Sequence, residues 1–322
     1  MNIQNKKNLI IIHNSPWQVL TSLECLSINK ELSANAYFLI MIKDGSKSER
    51  QVKTIELSEG LTFKYIFYTE SKISKLTKYL KLFSLFYGKK FNSVFVSQLD
   101  IPWIVFILKI IRFNQLCFYD EGVHSLEIEN IKANHYNEPK KIIFKRLFGQ
   151  YFIDKVYTSY EITKPEIDII KISYELLKRK VKDFGITSDT YFIGQHIYGI
   201  YISIDDYLRC LEQLRNEVSK KIYYYPHRHE DENTIQRIKE IGLEVLENDY
   251  NIEYFFLTKN IKPHKIVGFV SSAMINIKKI WGKEVEVNYI RLPDSVLTKR
   301  RSIFIHRIYK EFESSGIKRI HI

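Results

Sequence analysis

Cys117-Phe118-Tyr119-Asp120-Glu121-Gly122 is the stretch on which the reading of this chain turns. The apolar run Gln115-Leu116-Cys117-Phe118-Tyr119 stops abruptly at two carboxylates and a glycine. A buried strand of an α/β sheet ends this way where its tip faces a ligand, because ligands bind beyond the carboxyl ends of such strands. Two adjacent acids also repel each other, which makes one of them a better proton acceptor. Taken alone, Asp-Glu-Gly is the commoner signature of a surface turn. The flanking sequence shifts that balance.

Outward from this stretch, strands and helices alternate. Strands are expected at Leu9–His13, Ala36–Ile42, Phe63–Tyr68, Ser93–Val96 and Lys155–Thr158, and helices from Pro16, at Ser71–Tyr87, Ile101–Phe113 and Lys141–Phe148. Ser15-Pro16 is a cap and first-turn pair for the first helix. Ser71–Tyr87 carries Ile73, Leu76, Leu80, Phe83 and Tyr87 at helical spacing, interleaved with Lys72, Lys75, Lys78 and Lys81. Such a helix can lie on a membrane, but the reading preferred here packs its apolar stripe on the sheet. Lys164-Pro165, a helical Ile169–Val181 stretch and Asp183-Phe184-Gly185 read as a linker. A second alternation follows, with strands at Thr190–Ile193, Lys221–Tyr225, Leu243–Leu246 and Lys265–Val270. Its helices are Asp205–Val218, Glu232–Ile241, Ile252–Thr258 and Ser302–Ser314. The expected class is α/β with mostly parallel sheets in two domains, 1–165 and 166–322.

Composition bounds the function. The chain has 322 residues, of which 45% are hydrophobic and 14% aromatic, enough to bury two cores. Its net charge is +12, and residues 261–322 carry 13 Lys+Arg against 5 Asp+Glu. A basic balance suits an anionic partner or a solvated basic face. Cys25, Cys117 and Cys210 lie far apart without metal-ligand spacing, as free thiols in a reducing compartment do. No signal peptide is evident and the apolar runs are too short to span a bilayer, so a cytoplasmic protein is expected, with peripheral contact at the inner face of the membrane through its charge.

Three polar stops share one topology: Asp120-Glu121-Gly122, His227-Arg228 and Ser271-Ser272 each follow an apolar strand. In parallel sheets they fall on ligand edges. Ser271-Ser272 can open a helix whose N–H groups hold a phosphate, or be a plain cap. His227 can donate to a phosphate oxygen, or be an ordinary loop histidine. His227, His229 and Glu230 match no common metal spacing, and Asp205-Asp206 reads as a helix cap.

Two successive Rossmann-like halves without a Gly-x-Gly-x-x-Gly loop resemble the GT-B layout, with a cleft between the two domains. The chain resembles bacterial sialyltransferases of glycosyltransferase family 52, and more distantly families 38 and 80. The resemblance is carried by Tyr119-Asp120-Glu121-Gly122, Tyr225-Pro226-His227, Val270-Ser271-Ser272 and Ser15-Pro16-Trp17-Gln18. It departs where the motif proline is Arg228, which can itself meet a phosphate or carboxylate. The resemblance implies an inverting, metal-independent transfer of sialic acid from CMP-sialic acid to a terminal galactose of a surface glycan, either lipooligosaccharide or capsule. It implies Asp120 as base, Glu121 and Gly122 beside it, and His227, Ser271 and Ser272 on the leaving phosphate. Glu253 would read the nucleotide, while Gln195, Gln18 and Asn14 would approach the sugar. No cofactor is expected. A transferase with another nucleotide sugar and a non-catalytic binder of nucleic acid or acidic lipid are the alternatives; no nucleic-acid module is visible. A homodimer is compatible with the sequence.

Overall fold

The computed structural model describes residues 8–13, 15–28, 35–43, 62–68, 72–99, 101–123, 125–126, 153–162, 167–227, 229–247 and 250–322. The chain divides into two compact units, Met1–Ser173 and Tyr174–Ile322. The expected helix at Lys141–Phe148 lies outside the described residues.

The first unit is built on β1 (Asn8–His13), β2 (Ala36–Lys43), β3 (Thr62–Tyr68), β4 (Lys90–Val96), β5 (Arg112–Tyr119), β6 (Lys155–Thr158) and β7 (Asp168–Lys171). The seven strands are ordered β3-β2-β1-β4-β5-β6-β7, and every pairing is parallel. The chain order reverses between β1 and β4, the switch point at which open α/β sheets take ligands. Helices α1 (Pro16–Ile28), α2 (Lys72–Phe86) and α3 (Pro102–Ile110) connect the strands. β1 is buried along its whole length, as a strand covered on both faces must be. Its Leu9 and Ile11 join a core with Leu39, Val94, Leu82 and Phe86, whereas Ile10 and Ile12 fall on the opposite face by the period of two.

The second unit has strands β8 (Gly185–Ile186), β9 (Thr190–Ile193), β10 (Ile222–Tyr225), β11 (Glu244–Val245), β12 (Ile261–Lys262), β13 (Lys265–Gly268), β14 (Glu286–Ile290) and β15 (Lys318–Ile320). Six of them form a parallel sheet ordered β11-β10-β9-β13-β14-β15, and β8 pairs with β12 separately. The switch point here lies between β9 and β13. The helices are α4 (Glu175–Val181), α5 (Ile204–Glu217), α6 (Glu232–Glu240), α7 (Ile252–Lys259), α8 (Ser272–Trp281) and α9 (Lys299–Ser314). Ser203 and Asp231 cap α5 and α6, their side chains accepting the Asp206 and Thr234 N–H groups.

Four sequence expectations change. The helix expected over Ile101–Phe113 ends at Ile110, because Arg112 to Phe118 pair with Lys90 to Val96 and the ladder overrides helical spacing. The helix expected over Ile169–Val181 is a strand followed by a shorter helix. Asp168–Lys171 pairs with β6, and Tyr174 takes a left-handed φ of 57° just before Glu175. For the same reason the chain divides after Ser173 rather than after residue 165, which would strip β7 from its sheet. Strands β14 and β15 went unanticipated in the basic C-terminal segment.

A further change concerns α2. The stripe of Ile73, Leu76, Leu80, Phe83 and Tyr87 does not pack on the sheet; it is exposed. Leu82 and Phe86 take the buried side instead, with Tyr79 edge-on to Phe106 at 5.0 Å and Phe86 against Tyr37 and Phe91. The helix is apolar on two faces, and the aromatic recess accepts the one bearing Tyr79 and Phe86.

Gly194 follows β9 directly, and its N–H donates to the Tyr225 carbonyl at 2.8 Å. An added Cβ would lie 2.6 Å from the Tyr224 hydroxyl and 2.8 Å from the Tyr225 carbonyl oxygen. Gly194→Ala should therefore destabilise the second unit by about 1–3 kcal/mol, read as a lower urea midpoint. An unchanged midpoint would show that this edge is loose.

Candidate functional site

In the first unit, the carboxyl edge is built from backbone groups that the sheet leaves unpaired. The β1–β4 pairing stops at Ile10 and Phe95, although β1 continues to His13. The Tyr119 hydroxyl donates to the Ile11 carbonyl at 2.8 Å, and burial holds the phenol pKa well above its usual range. The His13 N–H donates to Gln18 Oε1 at 2.6 Å, so the buried Gln18 ties the first turn of α1 to the tip of β1. Asn14 lies outside the described residues.

One residue past β5, Asp120 is fully buried. Its Oδ2 accepts both the Ser159 N–H at 2.6 Å and the Ser159 hydroxyl at 3.1 Å, binding the tips of β5 and β6 together. Glu121 is half-buried, and its N–H donates to Ser125 Oγ at 3.1 Å. Gly122 has φ of 101°, a conformation that favours glycine, and its carbonyl accepts the Ser125 N–H at 2.9 Å. The turn holds Asp120 inward and Glu121 at the rim.

In the second unit, Gln195 spans the switch point. Its Oε1 accepts the Phe269 and Val270 N–H groups at 3.0 and 2.8 Å, fixing the segment that leads from β13 into α8. Ser271 caps α8, its Oγ accepting the Ala273 N–H at 3.3 Å, and Ser272 is the first helical residue. Both serines are half-buried. Glu253 is buried in α7, where its two oxygens accept from Asn276 at 2.8 Å and Asn251 at 2.9 Å. Burial raises its pKa, against the pull of those two amides. Glu253 thus ties α7 to α8 beneath the serine cap.

His227 belongs to a hydrogen-bonded chain at the tip of β10. The Gln195 N–H donates to the Tyr207 hydroxyl at 3.3 Å, the Tyr207 and Tyr224 hydroxyls are 2.8 Å apart, and Tyr224 donates to Glu230 Oε1 at 2.5 Å. Glu230 Oε2 accepts the His227 N–H at 2.9 Å. The His229 N–H donates to His227 Nδ1 at 3.3 Å, which assigns the proton of the neutral ring to Nε2. Arg228 lies outside the described residues.

The first unit holds Gln18, Asp120, Glu121 and Gly122; in the second, hydrogen bonds link Gln195 to the segment before Ser271 and, through Tyr207, Tyr224 and Glu230, to His227, while Glu253 reaches α8 through Asn276. Ser159, Tyr207, Tyr224 and the organising role of Glu230 escaped sequence reasoning. Ser159 was open to the same rule that found Asp120, a polar stop after the apolar strand β6. Among the described residues, no group of three or more His, Cys, Asp or Glu side chains is placed to hold a metal ion.

The fold is shared with solved proteins. A 2,6-sialyltransferase from Photobacterium sp. JT-ISH-224, solved with the donor product CMP and the acceptor substrate lactose, aligns with a TM-score of 0.55 at 10% identity, over 97% of this chain and 78% of that one. The GT-B domain of a sialyltransferase from Photobacterium damselae aligns at 0.52 and 10% identity, over 97% of each chain. A putative UDP-N-acetylglucosamine 2-epimerase from Listeria monocytogenes aligns at 0.54 and 8% identity, over 98% of this chain and 84% of that one. No family model and no curated protein matches the sequence. The chain has the GT-B fold, an α/β architecture of two Rossmann-like domains with parallel sheets.

Glu230 sets a pH dependence. Burial raises its pKa from 4.5 to about 7, although the Tyr224 and His227 hydrogen bonds pull it down. A folded pKa above the unfolded one means that the folded chain holds the extra proton between these values. The associated stability is full below about pH 4.5 and is lost as pH rises through about 7, on the order of 3 kcal/mol in all. Glu230→Gln should flatten this slope in urea unfolding of the second unit between about pH 5 and 8. An unchanged slope would assign the titration to another group.

Proposed function

We propose that this protein is an inverting glycosyltransferase that moves sialic acid from CMP-sialic acid to a sugar hydroxyl, without a metal. The observation that carries this reading is the division of chemistry between two ligand edges: an acid pair ends β5, while His227 and Ser271-Ser272 follow β10 and β13. The sequence motifs favour a sialyl donor, and the likeness to sialyltransferases agrees with it at the level of fold. The epimerase shares that fold, so the donor has to be read from nucleotide binding. A terminal galactose of a surface glycan is the proposed acceptor.

In this reading a carboxylate takes the acceptor hydroxyl proton as its oxygen attacks the anomeric carbon, and CMP departs with the electron pair of the broken bond. The geometry favours Glu121 for that proton, because it sits at the rim. Asp120, the sequence-based choice, is enclosed and clamped through Oδ2 by Ser159. Asp120 then holds the turn that presents Glu121. His227 Nε2–H and the N-terminus of α8 with Ser271 and Ser272 stabilise the leaving phosphate. Glu253, buried and held by Asn251 and Asn276, supports this cap through α8.

Two measurements test this. CMP at a hundredfold over its dissociation constant should stabilise the protein by about 2.7 kcal/mol, with EDTA making no difference. A shift with UDP or GDP instead changes the donor, and none with any nucleotide removes the transferase reading. In turnover with CMP-sialic acid and a galactoside, Glu121→Gln should lose at least about a hundredfold in kcat. Asp120→Asn should chiefly lose about 1–3 kcal/mol of stability, because an amide nitrogen or a weaker neutral acceptor then faces two donors. Near-normal turnover in Glu121→Gln, with loss in a folded Asp120→Asn, would return the base to Asp120.

A further inference from the structure

The exposed face of α2 has no use in the chemistry above. Ile73, Leu76, Leu80, Phe83 and Tyr87 are exposed by 77%, 63%, 61%, 44% and 65%. At helical spacing they form one continuous stripe, opposite the Lys78, Leu82 and Phe86 side that packs inward. The Phe83 and Tyr87 rings stack on each other at 4.5 Å rather than on the core. Single exposed apolar residues are ordinary, but five on one helical face mark a contact surface.

Among the described residues of α2 and those just beyond its C-terminal end, the exposed charges are cationic. From Lys72 to Tyr119 the sequence carries eight Lys+Arg and a single acid, Asp100. Lys81 is exposed on the helix. Exposed Lys90 and Arg112 and half-exposed Lys89 gather just beyond its C-terminal end. There the Gly88 N–H donates to the Ile110 carbonyl and the Arg112 N–H to the Lys89 carbonyl, each at 2.8 Å, and Lys90 is the register partner of Arg112. An apolar stripe with a cationic rim complements an anionic lipid surface, with aliphatic side chains entering the acyl boundary and lysines meeting the headgroups. Tyr87 suits the interfacial level, with an apolar ring and a polar tip. A second copy of this chain fits less well, because docking stripe on stripe would bring two cationic rims together.

We propose that α2, with Lys81, Lys89, Lys90 and Arg112, is the surface by which this protein docks peripherally on an anionic lipid bilayer. The proposal does not depend on the transferase reading.

Vesicle flotation of the full chain tests it, comparing phosphatidylcholine alone with phosphatidylcholine plus phosphatidylglycerol at low and high salt. The chain should float with the anionic vesicles and release in salt. Lys89→Gln with Lys90→Gln should weaken binding by about fivefold per residue removed. Leu76→Glu with Leu80→Glu should weaken it by at least about tenfold while circular dichroism and Tm stay unchanged, since both positions are exposed. Absence of flotation on anionic vesicles at low salt, or equal flotation of the folded glutamate variant, overturns the proposal. A dimer that becomes monomeric in that variant by light scattering, without vesicle binding by either form, assigns the stripe to a second copy instead.

Discussion

Parallel strands that part company at a switch point leave backbone N–H and C=O groups without ladder partners, and a buried group of this kind must find another. Both units meet that constraint with side chains. In the first, the Tyr119 hydroxyl takes the Ile11 carbonyl. In the second, Gln195 takes the N–H groups of Phe269 and Val270. The candidate chemistry sits one step from each device. Tyr119 precedes Asp120 directly, and Val270 precedes Ser271. Satisfying the divergent backbone therefore also fixes the segments that carry the candidate residues.

This constraint explains what sequence reasoning recovered. The apolar strands ending at Tyr119, Tyr225 and Gly268 were legible because a strand covered on both faces is a continuous apolar run. Their polar stops were legible for the same reason. Partnership was not legible. Gln195 and Gln18 read as sugar-facing groups, yet each has its carbonyl oxygen on backbone N–H groups of its own unit. Glu253 read as a nucleotide contact and is held by Asn251 and Asn276. The stripe on α2 misled because helical spacing shows that an apolar face exists, not whether it is the face that packs. Strand β7 was lost because Ile169 and Ile170 fit either period over so short a run.

The Tyr207–Tyr224–Glu230 chain shows how a buried acid can serve without touching a ligand. Glu230 accepts the His227 N–H, fixing the backbone from which that ring projects, and the same carboxyl reaches Gln195 through two tyrosine hydroxyls. The tips of β9 and β10 are thereby joined through side chains as well as through the Gly194 N–H on the Tyr225 carbonyl. A carboxyl near half-ionisation at neutral pH suits this post, since its neutral form avoids the desolvation cost of a buried charge while still accepting hydrogen bonds.

Direction along the first sheet separates its two candidate surfaces. Lys90 and Arg112 open β4 and β5, so the cationic rim lies at the amino edge of the sheet, whereas Asp120 and Glu121 lie beyond the carboxyl end of β5. An eight-residue strand at about 3.3 Å per residue puts roughly 23 Å between them. The cationic rim at the end of α2 therefore lies at the edge of the sheet opposite to the acid pair. The phosphate-binding candidates belong to the second unit's own ligand edge. The net charge of +12 is not gathered at the ligand edges: in the segment 261–322, Lys265 opens β13 and Lys278 and Lys279 lie in the last turn of α8, away from its serine cap.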